Sequence, residues 1–119
     1  MAKTTRKDFE LFKKECKKWI DIVGLKDWHF WYEHDETDDN CIAQYDIDDA
    51  GRSCVVFFTK GLDDKLTRHD ITSAAFHEII EIYIRPLRKM ALTAHSYEFV
   101  DEATHRIVRM LENVLFPKY

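Results

Sequence analysis

In the stretch AAFHEIIEIYI, Ala74 to Ile84, His77 and Glu78 stand side by side and Glu81 lies one helical turn further on, all within apolar surroundings. On a helix, residues at i and i+4 project in nearly the same direction. An imidazole nitrogen of His77 and a carboxylate oxygen of Glu81 can therefore meet one ion at about 2.0–2.2 Å. Glu78 is rotated from His77 by about 100°. That offset suits a carboxylate that stands beside the ion and takes a proton from the water it activates. A tetrahedral zinc site with catalytic capacity needs one more protein ligand, leaving its fourth position for water.

The third ligand can come from VDEATHRIVRMLENVL, Val100 to Leu115. There Glu98, Asp101, Glu102, His105 and Glu112 form the polar side of a helix. His105 is the preferred ligand, because it completes a set of two histidines and one carboxylate with His77 and Glu81. Asp101, at i−4 from His105, either orients that imidazole or replaces it as the ligand. Such a mixed set discriminates weakly among zinc, iron, manganese and nickel.

These residues must be positioned by helices. Taking 100° per residue, Asp70, Ser73, His77, Glu78, Glu81 and Arg85 occupy about 140° of arc and apolar residues the remainder. The polar strip is thus either a narrow solvent face or the wall of a site. This helix is expected to begin near Asp70 or Thr72, to run to about Ile84 and to end near Pro86. Leu87–His95 would follow as a loop, either a lid or a simple connection. Ser96 caps a last helix whose apolar stripe comprises Tyr97, Val100, Thr104, Ile107, Val108, Leu111, Val114 and Leu115.

Upstream, Thr4 or Thr5 can cap a first helix that continues to about Ile22 and stops at Gly24, with Phe9, Phe12, Cys16, Trp19 and Ile20 facing the core. Its lysines, Lys13, Lys14, Lys17 and Lys18 among them, form the solvated face. Period-two alternation in DWHFWYEH, Asp27 to His34, predicts a strand. CIAQYDI, Cys41 to Ile47, and RSCVVFFTK, Arg52 to Lys60, predict two more, joined by a hairpin-type turn at Asp48 to Gly51. DETDDN, Asp35 to Asn40, reads as a loop, lacking the glycine and final glutamate of a calcium-binding loop. The expectation is a single α+β domain over residues 1–119: one helix, a three-stranded antiparallel meander, then two helices.

A net charge of −4 argues against general attraction to nucleic acid or anionic membrane. Cys16, Cys41 and Cys54 are odd in number and widely spaced, so neither a disulfide framework nor a thiolate zinc site is expected. Without a long apolar run or an apolar stretch behind the amino-terminal charges, the protein is expected to work in a cytoplasm with reduced thiols. His29, His34, His69 and His95 have no partner spacing and are assigned structural or exposed roles.

HEIIE at His77–Glu81, preceded by three short strands and followed by the Val100–Leu115 helix, resembles small phage-encoded proteins of zincin-like metallopeptidase fold. In those relatives the helix reads His-Glu-x-x-His. By that likeness His77 is the first zinc ligand and Glu78 the base, and Glu81 stands where the second histidine is expected. The resemblance implies a metal-dependent peptidase acting in a host cytoplasm. It also implies that the strand Ser53–Thr59, just before the motif helix, is the edge on which an extended peptide adds. The other reading is a non-catalytic protein that retains this fold, with or without a structural metal, and binds another protein.

Overall fold

A computed structural model describes residues 2–116. In chain order they form β1 (Ala2–Lys3), α1 (Arg6–Val23), β2 (His29–Asp35), β3 (Ala43–Asp48), β4 (Ser53–Thr59), β5 (Gly61–Leu62), α2 (Arg68–Leu92) and α3 (Tyr97–Leu115). The α+β class stands. No helix among the described residues is long and apolar enough to cross a membrane.

The two helices that supply most of the core, α1 and α2, begin with a reciprocal cap. Thr5 and Asp8 close a capping box on α1, and Thr67 and Asp70 close another on α2. In each, the Thr hydroxyl accepts from the backbone three residues on while the Asp side chain accepts from the Thr backbone, satisfying two otherwise orphaned donors. Helix α1 ends at Gly24, whose φ of +79° suits a residue without a Cβ.

The sheet departs from the expected meander. Its order is β2-β4-β3, with β2 parallel and β3 antiparallel to β4. Hydrophobicity explains the rearrangement. On β4, Cys54, Val56 and Phe58 are buried, while Val55 and Phe57 add apolar surface to the opposite face. The centre of a sheet suits such a strand, because both its edges are then paired and its faces better covered. Strand β2, with polar or exposed His29, Trp31 and Glu33 on one face, takes an edge. Ser53–Thr59 is consequently a central strand and cannot add a peptide. The open edge nearest α2 is β3.

Phe12, Cys16 and Trp19 of α1 join Cys54, Val56 and Phe58 of β4 and Ile71, Ala75, Phe76, Ile79 and Ile82 of α2 in one core. Phe12 stacks on Phe58 at 4.9 Å between centroids, and Trp19 meets Phe76 edge-on at 4.7 Å. Each fully buried large side chain contributes about 1.5–3 kcal/mol. This packing fixes the rotation of α2 about its axis and so the direction of its polar strip. At the other end of the sheet, the Thr4 hydroxyl donates to the Thr59 carbonyl and contacts His34 Nε2, both at 2.6 Å. His34 also stacks on Phe9, a structural role.

Helix α2 does not stop at Pro86 but continues to Leu92, so most of the expected loop Leu87–His95 is helical. A proline in a helix interior forfeits one hydrogen bond and costs about 3 kcal/mol. Contacts on both sides of it offset part of that cost. In the β3–β4 turn, Asp49 accepts from Arg85 Nε at 3.0 and 3.1 Å and from Lys89 Nζ at 3.3 Å, and Arg88 donates to Asp101 on α3 at 3.0 Å. Burial alone would raise the Asp49 pKa, but the bonds from Arg85 and Lys89 outweigh it and hold the carboxyl below its ordinary value.

Asp49→Asn is expected to lower stability by about 1 kcal/mol at neutral pH and to speed amide exchange in residues 86–92. Because the folded-state pKa is depressed, this contribution is present above the ordinary Asp value and is lost as pH falls through the folded-state pKa. Denaturant titrations of both proteins should therefore differ at pH 7 and converge in acid.

Candidate metal centre

The polar strip of α2 faces α3 across an open cleft of about 1130 Å³, whose third wall is formed by Cys41–Tyr45 at the start of β3. His77, Glu78, Glu81, Asp101 and His105 all line this cleft. The residues singled out from spacing alone therefore converge on one place.

His77 Nε2 lies 2.6 Å from Glu81 Oε2, as i and i+4 spacing requires. Across the helix pair, the His105 ring centroid is 5.9 Å from that of His77. Ligand atoms of His77, Glu81 and His105 all lie within 4.8 Å of one another. Bonds of about 2.0–2.2 Å at tetrahedral angles would set donor atoms roughly 3.3–3.6 Å apart. The observed separations bracket that value, so small side-chain rotations would accommodate a divalent ion. The donor set fits: three side chains from two helices, with the fourth direction open to the cleft.

Each imidazole is held by a second group. His105 Nδ1 donates to the backbone carbonyl of Asp101 at 2.8 Å, which directs Nε2 away from its own helix turn. The Asp101 carboxylate is further off, at 3.4 Å, and is engaged by Arg88. Asp101 thus touches His105 through its main chain and ties α3 to α2 through its side chain. His77 Nδ1 lies 2.5 Å from Glu112 Oε1, seven residues along α3 from His105. Glu112 was visible in the sequence only as part of the polar side of α3. The i, i+7 spacing from His105 is the signal that could have selected it, since two turns return to nearly the same direction.

A hydrogen-bonded carboxylate behind a ligating histidine fixes the tautomer and turns the other nitrogen toward the ion. His77 bridges Glu81 and Glu112. Burial alone would lower its pKa, but the bonds to Glu81 and Glu112 outweigh burial and raise it to about 9.

Glu78 is 8% exposed and sits at the back of the cleft. Burial, reinforced by the neighbouring Glu81 charge and opposed by His77, pushes its pKa up to about 8. Such a carboxyl exchanges a proton near neutral pH, which is the property a general base or acid requires. Tyr45 of β3 lines the same cleft, a role that its place in an alternating strand does not signal. Burial and then the charges of Glu81 and Glu78 hold its hydroxyl up at about 12, so it remains a donor across the physiological range. Beneath the site, Cys16 and Cys54 are free buried thiols, pushed up by burial and by the Glu78 charge.

Of the remaining histidines, His69 lines the far end of the cleft and meets Phe116 edge-on, and His95 packs beside Phe99. Comparison with known proteins gives no matching family model, curated protein or solved structure.

Glu112→Gln should weaken zinc binding about 10–100-fold without unfolding the protein. Competition with a chromophoric chelator measures this, with circular dichroism as the control. Equal zinc affinity in the variant and the parent would remove Glu112 from the site.

Proposed function

We propose that the protein is a metal-dependent hydrolase of zincin-like fold that cleaves peptide bonds, with His77, Glu81 and His105 holding one divalent ion, zinc foremost, and Glu78 as the general base. The observation that carries this reading is the meeting of His77, Glu81 and His105 from two helices at one open cleft, with a buried, proton-exchanging Glu78 beside them. A solvated strip of charges has no reason to bury a glutamate near the thiols of Cys16 and Cys54, where an ionised carboxylate is costly.

A divalent ion in such a set supplies Lewis acidity, polarising a carbonyl and acidifying water. The chain's own residues supply the rest. Glu78 accepts the proton of the attacking water and passes it to the leaving amine, a cycle suited to a carboxyl whose pKa lies near neutrality. Tyr45, still protonated, offers a hydrogen bond to oxygen charge developing in the cleft. Glu112 and the Asp101 carbonyl keep the two imidazoles oriented so that little reorganisation accompanies binding.

The sheet supports a peptide rather than a compact substrate. Thr59 donates its N–H to the Ile42 carbonyl, so in the antiparallel ladder Ile42, Gln44, Asp46 and Asp48 bond toward β4. The N–H and C=O groups of Ala43, Tyr45 and Ile47 then point away from β4, along the open edge. An extended chain can add there by main-chain hydrogen bonds and pass Tyr45 into the cleft. This gives β3 the role that the sequence had suggested for Ser53–Thr59. A phage origin and action in a host cytoplasm belong to the same proposal, carried by the likeness of HEIIE to the small phage proteins.

With the zinc-loaded protein, cleavage of a quenched fluorescent peptide library should fall about 10²–10⁴-fold in Glu78→Gln, while zinc content stays at one per chain. Parent protein that holds zinc yet cleaves no member of the library would overturn the peptidase reading.

A further inference from the structure

Helix α3 carries two apolar faces, and α2 covers only one. Val100, Thr104 and Val108 are buried against the body of the protein. Phe99, Ala103, Ile107, Met110 and Val114, spaced 4, 4, 3 and 4 residues apart, form a second seam of the kind that packs another helix, and all are exposed. The large members of that seam are 45–77% exposed. Scattered exposed apolar residues are ordinary, but a continuous seam with helical spacing is not.

The neighbouring helix extends this face. Arg88 bonds Asp101 and His77 contacts Glu112, so α2 and α3 run antiparallel with facing residue numbers that sum to 189. In that register Tyr83, Leu87 and Met90 lie opposite Ile107, Glu102 and Phe99 respectively, to within one or two residues. All three are more than half exposed. The face therefore spans the back of the hairpin, while Asp101, His105 and Glu112 look the other way, into the cleft.

We propose that this face is the subunit interface of a homodimer in which α3 packs antiparallel to α3 of a second copy. The chain as a whole carries surface to spare for an interface of standard size. A compact monomer of 14.2 kDa has about 6,800 Å² of accessible surface. This chain has 7979 Å², in excess by more than the roughly 800 Å² that each partner buries in a standard interface. The seam is also self-complementary about a point between Arg106 and Ile107. A two-fold axis there sets Phe99 against Val114 of the second copy and Ala103 against Met110, large beside small in each case. Near the axis, Glu102 pairs with Arg106 at 3.2 Å, which lessens the repulsion between the Arg106 side chains of the two copies. The cleft stays open in this dimer, and the face needs no metal or hydrolytic activity to form.

Sedimentation velocity from 1 to 100 μM decides the matter. The parent is expected to sediment as a dimer. Ile107→Glu on α3 and, separately, Leu87→Glu on α2 should each raise the dimer dissociation constant at least 100-fold, with unchanged circular dichroism and unchanged zinc uptake. Cross-linking between Cys residues introduced at Phe99 and Val114 should join two chains. A parent that stays monomeric throughout the range, whatever else the face then binds, overturns the proposal. So does a dimer that persists in both folded variants.

Discussion

For a histidine on one helix to meet a carboxylate on another, the two helices must keep one longitudinal register. Here two cross-helix bonds impose it. Arg88 to Asp101 and His77 to Glu112 lie eleven residues apart on each helix, close to three turns, so both fall on the facing sides of α2 and α3. Glu81 and His105 lie between them. A slip of a single turn would move His105 by about 5.4 Å and dissolve the cluster. The neutral alternative, apolar packing alone, fixes distance between helices better than register, because Val and Leu surfaces slide past each other at small cost. Charge-assisted hydrogen bonds with defined partners do not.

The same constraint explains why α2 must be long. Arg88 lies beyond Pro86, so the register bond exists only if the helix survives the proline. Asp49 permits this by gripping Arg85 and Lys89 on either side. A turn between two strands thereby supports a bond between two helices, and through it the position of His105. The core sets the remaining degree of freedom. Ile71, Ala75, Ile79 and Ile82 pack inward and leave one rotation of α2 that presents His77 and Glu81 to α3 while keeping Glu78 buried. That burial is destabilising for an ionised carboxylate. A core containing Phe12, Phe58, Phe76 and several isoleucines can sustain it, and the outcome is a carboxyl whose proton is exchangeable near neutrality.

What was legible in the sequence was local. Thr5 and Ser96 as caps, Gly24 as a stop, the strand alternation around Phe30 and the i, i+4 relation of His77 and Glu81 depend on a few neighbouring residues, and each took the expected form. His105 was found because helices pair and its spacing left few other partners. The features missed depend on distant residues. Pro86 reads as a terminator until Asp49 is seen beside it. The strand order follows from β4 outcompeting β2 for the centre of the sheet, a comparison between strands that alternation within each strand does not contain. Glu112 and Tyr45 are ordinary members of a helix and a strand until the cleft brings them to His77 and Glu81. The expected apolar stripe of α3 mixed the buried Val100, Thr104 and Val108 with Ile107 and Val114 of the exposed seam, and it omitted Phe99, Ala103 and Met110, which complete that seam.

The most direct test of the two-helix centre is anomalous diffraction at the zinc absorption edge from crystals of the full chain grown with zinc. One strong peak per chain is expected, within bonding distance of His77 Nε2, a Glu81 oxygen and His105 Nε2, with Glu112 still on His77 Nδ1. A well-ordered cleft without a peak, with His77 continuing to bridge Glu81 and Glu112, would contradict this expectation and reduce the cluster to an ion network that fastens one helix to the other.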